Sequence, residues 1–92
     1  MIIMKFYLDC EFNGFGGELI SLALVSEDQE KRFYEVLPYE YMNLHPWVKE
    51  HVIPVLYRKP KSHKLKFQND LACFLRENAV NNEITIVADW PE

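Results

Sequence analysis

Glycine, cysteine and long apolar runs are all scarce in this 92-residue chain. Each scarcity excludes something. The three glycines all fall between Asn13 and Gly17, so tight backbone geometry is confined to one segment. The two cysteines, Cys10 and Cys73, form no Cys-x-x-Cys pair, which leaves no zinc or redox motif of that kind. They read as free thiols in a reducing cytoplasm. No run approaches about 18 apolar residues, so no membrane-spanning helix is expected. Met1 to Leu8 is apolar but meets Asp9 too early for a secretory signal. Excess positive charge is lacking too. A net charge of −4 argues against nucleic-acid binding over the whole surface. Apolar residues, at 49%, are too many for a disordered chain. With no repeat, low-complexity tract or linker, residues 1–92 read as one small cytoplasmic domain able to bury a core.

What is present centres on Asp9 and Glu11. The run Ile2 to Leu8 is β-branched, aromatic and apolar, and reads as a buried strand. Residues two apart in a strand share a face, so both carboxylates project together from its C-terminal end, with Cys10 on the other side. Paired carboxylates repel unless a proton or cation lies between them. A hard divalent cation takes one or two carboxylates and completes its shell with water and phosphate. The alternative is plain: acidic residues also end strands because they favour turns and solvent.

The rest of the chain sets the frame. Asn13 to Gly17 reads as a hairpin connection and Glu18 to Ser26 as a second strand. Glu27 to Glu30 is a polar turn, and Lys31 to Leu37 a third strand ended by Pro38. Together these form an antiparallel meander. His45-Pro46 opens a helix that carries Trp47, Val48, His51 and Val52, and Pro54 breaks the run. Phe67, Leu71, Phe74 and Leu75 form the apolar stripe of a second helix starting near Leu65. Ile84 to Ala88 reads as a fourth, buried strand. After a helical crossover it can lie parallel to the first. Fold class is therefore α/β: a mixed sheet with antiparallel strands 1–3 and a parallel fourth.

The order strand, Asp-x-Glu, glycine turn, strand, strand resembles the opening of the DEDD-type 3′–5′ exonucleases, which have an RNase H-like fold. Leu8-Asp-Cys-Glu-Phe12 resembles their first motif. The segments Glu18 to Asp28 and Trp47 to Pro54 are similar to a small bacterial and phage subgroup of exoribonucleases. The resemblance implies hydrolysis of phosphodiester bonds in single-stranded or 3′-overhanging nucleic acid, RNA before DNA, with two Mg²⁺ or Mn²⁺ ions. It implies Asp9, Glu11 and Asp89 as metal ligands and catalytic residues, with Glu92 or a residue beyond it as the alternative to Asp89. It implies backbone approach to the terminal nucleotide near Cys10 and Phe12. No segment supplies the family's third motif, a late acidic ligand with a His or Tyr base. The expectation is an N-terminal portion of the fold, its C-terminal part missing, without a competent site of its own.

The remaining candidates carry two readings each. Phe12 and Phe15 flank the glycine turn and could stack on a terminal base, or pack the turn onto the sheet. Arg58, Lys59 and Lys61, with Lys64 and Lys66, put five of the ten basic residues within nine positions. They read as a phosphate-binding patch or as a solvated loop. His51 and His63 read as surface or helix-face residues rather than bases, and Trp47 as a core anchor. A non-catalytic nucleic-acid-binding module stands as one alternative. An interaction domain that pairs through an exposed sheet edge, as a homo-oligomer would, stands as another.

Overall fold

The computed structural model describes residues 3–56 and 61–88. Seven elements follow in chain order: β1 (Lys5–Phe12), β2 (Leu19–Ser26), β3 (Arg32–Val36), α1 (Pro46–His51), α2 (Ile53–Leu56), α3 (Lys64–Asn78) and β4 (Thr85–Ala88). The four strands form one mixed sheet in the order β3-β2-β1-β4. The first three are antiparallel neighbours, and β4 lies parallel to β1, with Lys5 opposite Thr85 and Leu8 opposite Ala88. The expected α/β class and strand directions are those observed.

Alternation along the strands decides what each face does. Phe6, Leu8, Leu24 and Phe33 fall on one face, which α3 covers with Phe67, Leu71, Phe74 and Leu75. The Phe74 ring meets Phe6 edge-on at 5.5 Å and Phe33 at 5.4 Å, spacings that aromatic quadrupoles favour. The stripe forms because these side chains recur every three to four residues. The helix starts where the His63 ring accepts the Leu65 amide. It carries a Lys66–Asp70 ion pair one helical turn apart.

A second core lies under α1 and α2, where Ile20, Val36, Val48, Val52 and Leu56 pack together. A bulge makes this core accessible from the sheet. Glu11 pairs with Ser21 but Phe12 with Leu19, so Ile20 has no partner opposite. An unpaired bulge residue is re-aimed by the local kink, and Ile20 is fully buried in the second core.

Three expectations need correction. β1 is half-buried rather than buried, because Lys5, Tyr7 and Asp9 alternate outward. It also runs through Phe12, which sets Asp9 and Glu11 among the last four residues of the strand rather than after its end. β4 is exposed at all four residues. It is an edge strand, and an apolar run does not distinguish an edge from a centre. Pro54 does not end helical structure: the run stops at Val52, and Pro54 sits in the first turn of α2, where no amide is needed. Among the described residues no helix is long and apolar enough to cross a membrane.

Candidate active-site cleft

β1 is an inner strand, flanked by β2 and β4, and its C-terminal half opens into a cleft of about 770 Å³. Asp9, Cys10, Glu11 and Phe12 form its floor. The glycine turn forms one wall, and His45, Trp47 and Val48 form another. The sequence pairing of Asp9 with Glu11 thus ends in one concave place rather than on an open strand end.

The turn is built for close approach. Gly14 and Gly16 have φ of 77° and 73°, in the left-handed region that side chains resist. A Cβ at Gly17 would overlap the Asn13 carbonyl. Three backbone bonds close the loop: Asn13 N–H to the Glu18 carbonyl at 2.8 Å, Gly14 N–H to Phe12 at 2.8 Å, and Gly17 N–H to Gly14 at 3.0 Å. Asn13 then ties the turn to the segment before α1. Its Nδ2 donates to the Asn43 carbonyl at 3.0 Å, and its Oδ1 accepts the His45 amide at 2.8 Å. The His45 ring caps α1 by accepting the Trp47 amide at 3.2 Å. Asn13 and His45 are therefore the residues that fix the cleft's two walls relative to each other. An Asn beside glycine reads locally as a turn residue, and only the fold shows its reach across thirty positions.

Trp47 differs from the expected core anchor. It is 59% exposed, its ring 4.9 Å from that of His51, and it lines the cleft. Val48, the next residue, takes the buried position instead. Phe15 is 87% exposed at the tip of the turn, whereas Phe12 is partly buried. The turn-packing reading therefore fits Phe12 and not Phe15.

Among the described residues, the charge lining the cleft is that of Asp9 and Glu11. Burial pushes the Glu11 carboxyl above its ordinary range, and the negative charge of Asp9 adds to the effect. Burial also raises the Cys10 thiol, with the charges of Asp9 and Glu11 contributing, so Cys10 stays neutral. Across the sheet Asp9 is in register with Ala23 and Ala23 with Tyr34. The Tyr34 phenol is raised by burial and by the charge of Glu11. Two oxygen donors under mutual repulsion, in a concave site, fit a hard divalent cation. Among the described residues no group of three or more metal-binding side chains assembles.

The other candidates fall elsewhere. Asp89, Arg58 and Lys59 lie outside the described residues. Ala88, one residue before Asp89, lines the cleft. Lys61 is not brought to the cleft. It pairs with Glu40 and lies over the Tyr39 ring at 4.6 Å. His63 caps α3, and His51 supports Trp47. No family model matches the chain, and no curated protein sequence matches it.

Proposed function

We propose that the cleft hydrolyses the terminal phosphodiester of single-stranded or 3′-overhanging nucleic acid, RNA in preference to DNA, on an RNase H-like sheet. The observation that carries this reading is the convergence of Asp9 and Glu11 with exposed Phe15 and Trp47 in one cleft. Carboxylates hold a phosphate only through a cation, and exposed rings hold bases by stacking. Asp9 and Glu11, with Asp89 a candidate third ligand, would hold Mg²⁺ or Mn²⁺, which supplies an activated water and stabilises charge on the leaving oxygen.

The chain's own residues have separable tasks. Asp9 and Glu11 set the negative well at the floor. Phe15 and Trp47 orient the last nucleotides by their faces. Every base offers such a face, so this contact tolerates any sequence. The glycine turn keeps side chains away from the approaching backbone. Asn13 and His45 hold the two walls apart at a fixed distance. Cys10, held neutral by burial, is not the nucleophile.

The test is degradation of 3′-tailed RNA and the matching DNA with Mn²⁺, Mg²⁺ or EDTA, alongside Mn²⁺ binding followed by electron paramagnetic resonance. The expected result is Mn²⁺ binding that is lost in Asp9→Asn and Glu11→Gln, with metal-dependent shortening from the 3′ end by a form of the chain that also carries the late acidic ligand and base. Loss of either carboxylate should cut turnover by at least about 100-fold, the scale of removing one transition-state charge partner. Wild-type rates in Asp9→Asn would refute the proposal. A second reading, a nucleic-acid-binding module without catalysis, is favoured by the two-carboxylate count among the described residues. Salt-sensitive RNA binding that ignores EDTA would select it.

A further inference from the structure

Away from the cleft, one polar contact between α3 and the sheet lacks its complement. Glu35 of β3 lies opposite Leu22 of β2, and Phe33, two residues earlier on the same strand, belongs to the core that α3 covers. Its side chain therefore points at α3. Its Oε1 is shielded from solvent and meets no hydrogen-bond donor. The groups that do face it come from two places. Asp70 and Lys66 reach it from α3, and Ser62, itself buried, from the segment before that helix. Leu22, opposite on β2, offers nothing polar. Lys66 is already committed to Asp70, at 2.5 Å from Oδ2. The Ser62 amide is committed to the Val36 carbonyl at 2.7 Å, which fixes its position beside the strand end.

Two carboxyl groups thus abut at a helix–sheet contact. With both ionised, each presents only acceptors, and they repel. With one proton between them, the same contact becomes a short hydrogen bond assisted by charge. We propose that Glu35 and Asp70 share a single proton, and that its loss loosens α3 from β3, making the contact a pH-operated latch. Lys66 biases the arrangement by keeping the negative charge on Asp70, so the proton resides on Glu35.

The direction of the response follows. Burial and Asp70 hold the Glu35 carboxyl above its ordinary range. Asp70 is held below its own by Lys66 first and by Glu35 second. A carboxyl raised in the folded state contributes stability below its unfolded value and loses that contribution as pH rises through the folded value. A lowered one contributes above its unfolded value and loses that as pH falls. The pair therefore titrates in two steps that straddle the ordinary carboxylate range, and the steps belong to the pair. α3 also supplies Phe74 against Phe6 of β1, so its looseness reaches the strand that bears the cleft.

Carboxyl-carbon NMR of the wild-type chain as a function of pH tests this directly. The Glu35 resonance should titrate above the ordinary range and the Asp70 resonance below it. The folding constant should fall as pH rises through the upper step. In Glu35→Gln the amide donates to Asp70 at every pH, and the upper step should vanish from the urea-unfolding profile. In Asp70→Asn the Glu35 titration should move down toward the ordinary range while staying above it, because burial remains. Independent titration of Glu35 and Asp70 as ordinary carboxyls in the wild type would overturn the proposal. So would a Glu35→Gln profile that keeps the upper step. If a variant fails to fold, the wild-type titration decides.

Discussion

Glu11 is stabilised in its neutral form by the place it occupies. Burial raises its pKa, and Asp9 raises it further. The sign is that of a raised carboxyl: its contribution to stability is full below the unfolded value and is lost as pH rises through the folded one. At neutral pH, without metal, Glu11→Gln should therefore stabilise the fold. The gain should be only about a few tenths of a kcal/mol, because solvent screens a half-exposed charge. Urea unfolding should show it, and saturating Mg²⁺ should erase it by stabilising only the wild type. Asn13 works in the opposite direction. Asn13→Ala removes two hydrogen bonds between the cleft walls and should cost about 1–2 kcal/mol by the same measurement. Phe15→Ala and Trp47→Ala should leave unfolding nearly unchanged, since both rings are exposed. Each should weaken single-stranded RNA binding by about 1–3 kcal/mol in a fluorescence-anisotropy titration. Unchanged affinity in both would remove the stacking role.

At the scale of elements, the aromatic contact between α3 and the sheet carries the stability. Phe6 is fully buried against Phe74. Phe6→Ala should cost about 3–5 kcal/mol, transfer and cavity terms together, and shift the urea midpoint accordingly. The elements themselves were legible because period carried them. Phe67, Leu71, Phe74 and Leu75 mark α3, and the glycines of residues 14–17 mark the β1–β2 turn. The pairing of Asp9 with Glu11 followed from strand alternation alone. Burial was less legible. Thr85–Ala88 has the composition of a central strand, and only the sheet order makes it an edge. Trp47 and Val48 are adjacent and both apolar, and the helix's rotation about its axis decides which is buried. That rotation is set by the second core, where Ile20 arrives through a bulge no local pattern announces. Asn13 and His45 joined the site through contacts across the chain, which spacing does not encode.

For the whole molecule, the outer edge of β4 is the exposed feature. Its four residues carry no charge, proline or bulge, the usual guards against strand pairing. If a second copy of the chain pairs with this edge, association should rise with concentration. Val87→Lys should shift sedimentation velocity toward the monomer, and an unchanged profile would sink the edge as the route. The placement of β4 also governs timing. Hairpins such as β1–β2 close in about 1–10 μs, because their strands are neighbours in sequence. The β1–β4 pair joins distant segments and must wait for α3 to bring them together. During synthesis on the ribosome, the strand bearing Asp9 and Glu11 emerges before α3, while the partner on its other flank emerges only after it. Until then the acidic strand has one edge unpaired, so the cleft matures after the β1–β2 hairpin rather than with it.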